Sequence, residues 1–116
     1  MENVIKEKSK KFAIRIVRLY QYLQEEKKEY VLSKQLLRSG TSVGANVNEA
    51  LQGQSRKDFI AKMSISLKEI NETEYWLELL KETNYITREQ YESISKDCKE
   101  VAKLLTSIVK TSKSRT

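Results

Sequence analysis

Apolar residues recur along this chain at intervals of three, four or seven, the spacing that places them on one face of an α-helix. The first such stretch covers about residues 3–24, and its apolar positions are Ile5, Phe12, Ile16, Leu19 and Leu23. The next five residues, 25–29, are all charged and predict a surface turn or a frayed helix end. A first amphipathic helix is therefore expected, followed by an exposed linker.

The second stretch, about residues 31–51, keeps its apolar spacing through a centre that is poor in helix-forming residues. Its stripe consists of Leu32, Leu36, Val43, Val47 and Leu51. Gly40 and Gly44 each cost about 1 kcal/mol relative to alanine in a helix interior, but two glycines four residues apart allow another backbone to approach closely. Because the stripe keeps its phase, we predict one continuous helix with close packing at both glycines. A break into two helices at 39–42 is the alternative.

The third stretch begins with a capping signal. Gly53 is placed to end the second helix, and Ser55 with Asp58 has the spacing of a capping box. The helix that follows is expected over about residues 55–83, with an apolar stripe made of Phe59, Met63, Ile70, Leu77 and Leu80.

The fourth stretch begins with a second capping box, formed by Thr87 and Gln90. The helix is expected over about residues 87–110, and its stripe is Tyr91, Ile94, Cys98, Val101, Leu105 and Ile108. The remaining residues form a polar C-terminal tail that we expect to be disordered. Four helices with short connections predict an all-α fold, an antiparallel up-down-up-down four-helix bundle that forms a single domain over residues 1–116. Both chain ends then lie at the same end of the bundle.

Composition narrows the chemistry. The chain has 116 residues, no histidine, no proline and one cysteine. Without histidine it lacks the commonest general base and a common metal ligand, and no phosphate-binding loop, dinucleotide motif or zinc spacing occurs. We therefore expect no enzyme activity, no metal and no cofactor. A single cysteine and the lack of any apolar run near the ~18 residues of a membrane span predict a cytoplasmic protein.

Charge is distributed unevenly. The net charge is +6, with +4 in residues 1–23, +4 in residues 99–116 and −2 between them. Since a bundle brings its two ends together, the basic segments can form one surface for DNA or RNA. The candidate nucleic-acid-binding residues are Lys6, Lys8, Lys10, Lys11, Lys103, Lys110 and Lys113. The alternative is that these lysines are simply solvated helix faces. Arg56 and Lys57 stand apart from this cluster along the chain.

A polar stripe runs beside the apolar one in the second helix. Ser39, Ser42, Asn46 and Glu49 are three, four and three residues apart, and Arg38 lies four residues before Ser42. Glu69 and Thr73 in the third helix can face this stripe. Three interpretations remain open: an internal hydrogen-bond network that fixes helix register, an oligomer interface, or a ligand site.

Residues 35–80 carry a more specific resemblance. The matching elements are Arg38-Ser39, Ser42-Val43, the run from Asn46 to Ala50, the run from Ser55 to Phe59, Leu67-Lys68-Glu69 and Glu72-Thr73-Glu74. They resemble the bacterial four-helix bundle family first noticed as proteins encoded in intervening sequences of large-subunit ribosomal RNA genes. The resemblance implies an up-down bundle that assembles as a homopentamer. A related branch, the accessory protein of diversity-generating retroelements, is a basic pentamer that binds nucleic acid and a reverse transcriptase.

Two functions follow as hypotheses. The first is a non-enzymatic oligomeric scaffold that binds nucleic acid, or a nucleic-acid-processing protein, through basic surfaces. The second is a protein–protein interaction module with no nucleic-acid role, in which the charge serves only solubility. A homo-oligomer is expected in both cases, because apolar residues remain outside the stripes, among them Ile14, Val17 and Ile65.

Overall fold

The computed structural model describes residues 3–53 and 55–115, and these residues form four α-helices. Their bounds are α1 Val4–Glu25, α2 Leu32–Leu51, α3 Arg56–Glu82 and α4 Arg88–Ser114. Consecutive helices pack against each other, and α4 closes the ring against α1. Cross-helix contacts pair residues in opposite chain directions, so the predicted antiparallel four-helix bundle is confirmed. Met1, Glu2, Gln54 and Thr116, which the predicted domain includes, lie outside the described residues.

The core runs along the axis of a molecule measuring 46 × 23 × 20 Å. Most predicted stripe residues are buried in it, among them Phe12, Ile16, Leu36, Ile70 and Leu105. The stripes fail at the last turns, where Ala50 is buried in place of Leu51 and Val109 is buried more deeply than Ile108. A helix of 3.6 residues per turn drifts relative to a seven-residue repeat, so the neighbouring position replaces the expected one after several turns.

Helix α2 is continuous, and the alternative of a break at residues 39–42 is wrong. The reason lies in its packing against α1. A Cβ atom at Gly40 would lie only 2.7 Å from Ile16 Cγ2. The missing side chain therefore lets Ile16 pack directly on the backbone of α2, which offsets the low helix propensity of glycine.

Helix α4 extends four residues past its predicted end at residue 110, so the expected tail is helical through Ser114. The added turn packs beside the start of α3, where Thr111 and Ser112 line a small cleft together with Phe59. Lys113 lies in the last turn, where a positive charge is favourable next to the helix dipole. Amphipathic spacing alone did not reveal this contact because the tail has no apolar residue.

The linker between α1 and α2 also differs from expectation, because Glu29 is only 8% exposed. Its carboxylate accepts hydrogen bonds from the backbone amides of Val31 at 3.1 Å, Leu32 at 2.9 Å and Ser33 at 2.7 Å. Burial raises the pKa of this carboxyl, but the hydrogen bonds to the charged form together outweigh it, and the pKa lies below its ordinary value. A residue expected in a frayed linker thus caps α2.

Helices α3 and α4 begin at the predicted N-caps. Ser55 accepts from the amide of Asp58 at 3.1 Å, and Thr87 and Gln90 form a reciprocal capping box. Helix α3 ends at Glu82, and Asn84 in the turn that follows has a φ of 66° and donates from its amide to the carbonyl of Lys81. Gly53 follows the C-cap of α2 without a positive φ, so its left-handed freedom is not used.

Candidate functional site

The charge of the bundle is concentrated in the half that contains both chain ends. The contacts of Ile16 with Gly40 and of Ile70 with Cys98 lie near mid-length. The terminal half is defined here as residues 3–14, 42–53, 55–68 and 99–115, and the distal half as residues 15–41 and 69–98. The described residues of the terminal half include thirteen basic and four acidic side chains, a net +9. The distal half has nine basic and eleven acidic side chains, a net −2.

A row of lysines follows the outer face of α4. Its members are Lys96, Lys99, Lys103, Lys110 and Lys113, which lie three, four, seven and three residues apart, and all five are exposed. The row, called the α4 lysine stripe below, spans about 26 Å at the helical rise of 1.5 Å per residue. It contains three of the predicted nucleic-acid-binding lysines and adds Lys96 and Lys99. The helical spacing of Lys96 and Lys99 from Lys103 was sufficient to predict that they share its face.

The predicted lysines of α1 do not form a single patch with the stripe. Lys6 and Lys10 lie over the seam between α1 and α2, in a groove that Gly44 and Asn48 also line. Lys8 and Lys11 lie instead on the side of α4, close to Asp97 and Glu100. Lys8 Nζ is 3.1 Å from Glu100 Oε2, so an acidic partner compensates its charge.

Arg56 belongs to the same end of the molecule as the chain termini, although it lies far from them in sequence. Together with Phe59, Thr111, Ser112 and Arg115 it lines a cleft of about 210 Å³ between the start of α3 and the end of α4, called the end cleft below. Arg56, which stands apart from the basic chain ends in the sequence, therefore lies beside the C-terminal one in the fold. The up-down topology brings the α2–α3 connection to the end that holds both termini.

Part of the predicted polar stripe is buried between α2 and α3. Thr73 Oγ1 donates to Ser39 Oγ at 2.9 Å, and both side chains are almost fully buried. Ser66, which is not part of the predicted polar stripe, donates to the carbonyl of Val43 at 2.8 Å. These bonds join two helices through neutral groups inside the core, the arrangement expected of a network that fixes register.

The other members of the polar stripe lie nearer to solvent. Ser42 donates to the carbonyl of Arg38 and Asn46 donates to the carbonyl of Ser42, so both bonds stay within α2. The Arg38 side chain is exposed, and Glu69 places its carbonyl 2.8 Å from Thr73 Oγ1. Glu49 forms an ion pair with Lys62 at 2.9 Å across the seam with α3. The structure thus divides the predicted set into a buried network and a solvated face.

The two helix-packing glycines are not equivalent. Gly40 is buried under Ile16, whereas a Cβ atom at Gly44 would lie 3.4 Å from the backbone oxygen of Ser9, an ordinary contact. Gly44 also lines the open groove under Lys6 and Lys10. The packing therefore leaves no room for a side chain at Gly40, whereas Gly44 has room for a methyl group.

The reactive side chains of the core are held in their neutral forms. Burial, with a smaller effect from Glu74, raises the pKa of the Cys98 thiol far above its ordinary value, so the thiol is a weak nucleophile at neutral pH. Burial also raises the pKa of Tyr91 to about 12, and its hydroxyl donates to Glu74. Ser95 donates to the same carboxylate at 3.1 Å. These groups connect α3 to α4.

Two further observations concern the described residues only. They contain no group of three or more potential metal ligands. None of their helices is both long and apolar enough to cross a membrane.

Comparison with known proteins places the fold in a family context. Residues 1–107 match the family model of the 23S rRNA-intervening sequence protein. The chain is also similar to a solved structure from Bacteroides thetaiotaomicron VPI-5482, described as a protein with unknown function from the S23 ribosomal protein family. The two chains are 67% identical, the match covers 93% of this chain and 96% of the other, and the TM-score is 0.92. Among curated proteins, none matches significantly.

Proposed function

The chain belongs to the 23S rRNA-intervening sequence protein family, and from that premise we propose that it is a non-enzymatic oligomeric scaffold that binds nucleic acid through its terminal half. Its partners in this proposal are further copies of the same chain and DNA or RNA, and it acts in the cytoplasm. The solved structure that it resembles is described as a protein with unknown function, so the proposal rests on this chain's own surface.

The α4 lysine stripe is the observation that carries the proposal. Five exposed lysines lie along about 26 Å of one helix face, and at Lys99, Lys103 and Lys110 the described residues offer no ion-pair partner. These three cations lie on one helix face, where they can contact phosphates of the same nucleic-acid strand. Their binding releases condensed counterions and gives affinity without base recognition.

A salt series of gel shifts tests the proposal. We expect Lys99→Gln with Lys103→Gln and Lys110→Gln to weaken binding to DNA and RNA of any sequence. Each lost phosphate contact lowers the slope of log affinity against log salt by about one unit, so the triple variant should lose about three units. The helical circular dichroism should not change, because all three side chains are exposed.

The matched control removes the same charge from the distal half. Lys27, Lys28 and Lys34 are exposed, and their replacement by glutamine should change the slope by less than about one unit. Equal losses in both triple variants would show that only net charge matters, and the placement in the terminal half would be wrong. A wild-type protein that binds neither DNA nor RNA at low salt would contradict the nucleic-acid role.

Exposed apolar side chains support the oligomeric part of the proposal. Ile14 is 44% exposed and Val17 is 36% exposed on the outer face of α1, and Ile65 is 40% exposed on α3. Neighbouring copies can bury such residues. Light scattering should give a multiple of the 13.6 kDa chain mass, five by family resemblance, and Ile14→Gln with Val17→Gln should lower it. A wild-type monomer at micromolar concentration would rule the assembly out.

A groove in the distal half favours the alternative, a protein-interaction module without a nucleic-acid role. It has a volume of about 540 Å³ between α1 and α4, with Leu19, Ile86 and Ile94 at its floor and Arg18 at its rim. Its apolar lining can hold a side chain of a partner protein. This function becomes the better one if the wild type binds no nucleic acid at low salt while a variant with Leu19→Gln loses a bound partner.

A further inference from the structure

Resting on the proposed nucleic-acid role, we infer that the end cleft holds an unpaired nucleotide, with its phosphate between Arg56 and Arg115 and its base against Phe59. The α4 lysine stripe serves any nucleic acid. The end cleft adds a preference for single strands, because only an unpaired nucleotide presents a phosphate and a free base face together.

The two guanidinium groups give the cleft its anion affinity. Arg56 begins α3 and Arg115 caps α4, and both are exposed without an acidic partner in the described residues. Arginine binds phosphate oxygens through two parallel hydrogen bonds, which a lysine cannot match. The hydroxyl of Thr111, in the cleft wall, is a further donor.

The acidic residue nearest in sequence does not neutralise the cleft. Asp58 lies two residues after Arg56, and two helical residues are rotated by about 200°, so its carboxylate is on the opposite side of α3. There it acts on Lys62, whose pKa is raised chiefly by the hydrogen bond to Glu49, with Asp58 a smaller contributor.

The position of Arg56 is not explained by helix stability. A positive side chain in the first turn opposes the helix dipole, whereas Arg115 at the end of α4 is favourably placed. Because the positive end of the α3 dipole lies beside the negative end of the α4 dipole, the two largely cancel. The sign of the potential in the cleft is then set by the two arginine side chains.

Phe59 supplies the apolar floor. Its ring is half-buried and forms part of the cleft lining, so one part of it packs on the core and another part faces the cleft. A base can stack on such a ring whatever its sequence. The volume of about 210 Å³ is below the range of pockets that enclose a whole small molecule, so the cleft can cover only part of a nucleotide and leaves the rest of a strand outside.

Fluorescence anisotropy with a labelled single-stranded oligonucleotide and a duplex of the same length tests the inference. We expect Arg56→Gln with Arg115→Gln to weaken single-strand binding about tenfold and duplex binding by less than about threefold. Phe59→Leu keeps the apolar bulk but loses the aromatic face. It should weaken single-strand binding about fivefold without changing the salt slope, since stacking displaces no counterion.

Lys6→Gln with Lys10→Gln is the matched control, because it removes two exposed cations of the same half on another face. It should leave the ratio of single-strand to duplex affinity unchanged. If the arginine pair also leaves this ratio unchanged while wild-type binding persists, the inference is wrong and the proposed function stands. If the wild type binds neither probe, both are wrong. Thermal melting checks that Phe59→Leu is folded, and the exposed arginine pair tests the inference independently of it.

Discussion

Helix α1 packs against α2 and against α4 in opposite ways. On the α2 side, Ile16 lies directly on the backbone at Gly40, and the backbone of Ser9 lies close to Gly44. On the α4 side, long charged side chains bridge the gap: Lys8 Nζ lies 3.1 Å from Glu100 Oε2, and Arg15 donates to Asp97 at 2.8 Å. A groove of about 540 Å³ remains open between α1 and α4.

The difference between the two seams shows that the contacts that stabilise the bundle lie on one side of α1 and the accessible charged groups lie on the other. A missing side chain at Gly40 lets Ile16 pack directly on the backbone of α2, so dispersion contacts are dense around this point of the α1–α2 seam. Ion pairs between side chains that are more than a third exposed contribute little to the free energy of unfolding. The α1–α2 seam therefore stabilises the bundle, whereas the α1–α4 seam leaves charged groups accessible to partners.

The largest expected effect comes from disturbing the α1–α2 seam. Gly40→Ala places a Cβ atom 2.7 Å from Ile16 Cγ2, and Ile16 cannot move away because it is fully buried. We expect the free energy of unfolding to fall by about 2 kcal/mol, since overpacking outweighs the helix-propensity gain of about 1 kcal/mol. Urea denaturation measures the change.

Gly44→Ala is the matched control for this substitution. Its Cβ atom would meet Ser9 at an ordinary contact distance, so the propensity gain should leave the stability equal or higher by up to about 1 kcal/mol. If both variants lose the same stability, the two glycine positions are packed equally tightly, and the difference between Gly40 and Gly44 does not hold.

The glycines also show what the sequence could and could not predict. Their spacing on one helix face, in phase with the apolar stripe, was sufficient to predict a continuous α2 and close packing. Which glycine has no room for a side chain depends on the residue packed against it. At Gly40 this residue is Ile16, a branched side chain from α1 that no pattern within α2 identifies. Periodicity reports which face is buried, but not the residue across the seam.

In the candidate site, too, residues that share one helix were predictable, and residues that meet only through packing were not. The lysines of α4 were predictable because they share one helix, and a complete reading of their spacing would have included Lys96 and Lys99. The end cleft was not predictable in this way, because Arg56 and Arg115 are 59 residues apart and meet only through the packing of α3 against the last turn of α4. Similarly, Ser66 looks like any serine of α3 until its bond to the Val43 carbonyl is seen.

A smaller effect is expected in the linker between α1 and α2. Glu29→Gln replaces one carboxylate oxygen by an amide nitrogen, which cannot accept from the amides of Leu32 and Ser33 together. We expect a loss of about 1 kcal/mol at pH 7, the size of a lost helix cap. Urea denaturation at several pH values measures it.

The pH dependence of this loss has a definite sign. The pKa of Glu29 in the folded protein lies below its ordinary value of 4.5, so its stabilisation is present above that pH. It disappears as the pH falls through the folded-state pKa, and the difference between wild type and Glu29→Gln should then shrink. A difference that stays constant down to pH values below the folded-state pKa would mean that the carboxylate charge is not what caps α2.

The smallest effect is expected at the open seam between α1 and α4. Arg15 donates to Asp97 Oδ2 at 2.8 Å and to Ser93 Oγ at 3.0 Å, yet these contacts lie at the surface. Arg15→Gln should therefore lower the free energy of unfolding by only about 0.5 kcal/mol at low salt. At about 1 M salt, screening over about 3 Å should remove most of the remaining difference, whereas the cost of Gly40→Ala, which is steric, should stay. Denaturation of both variants at the two salt concentrations makes the comparison.

A loss for Arg15→Gln that equals the Gly40→Ala loss and persists in salt would show that the α1–α4 seam is as firmly packed as the α1–α2 seam. The separation of stability from surface charge would then not hold.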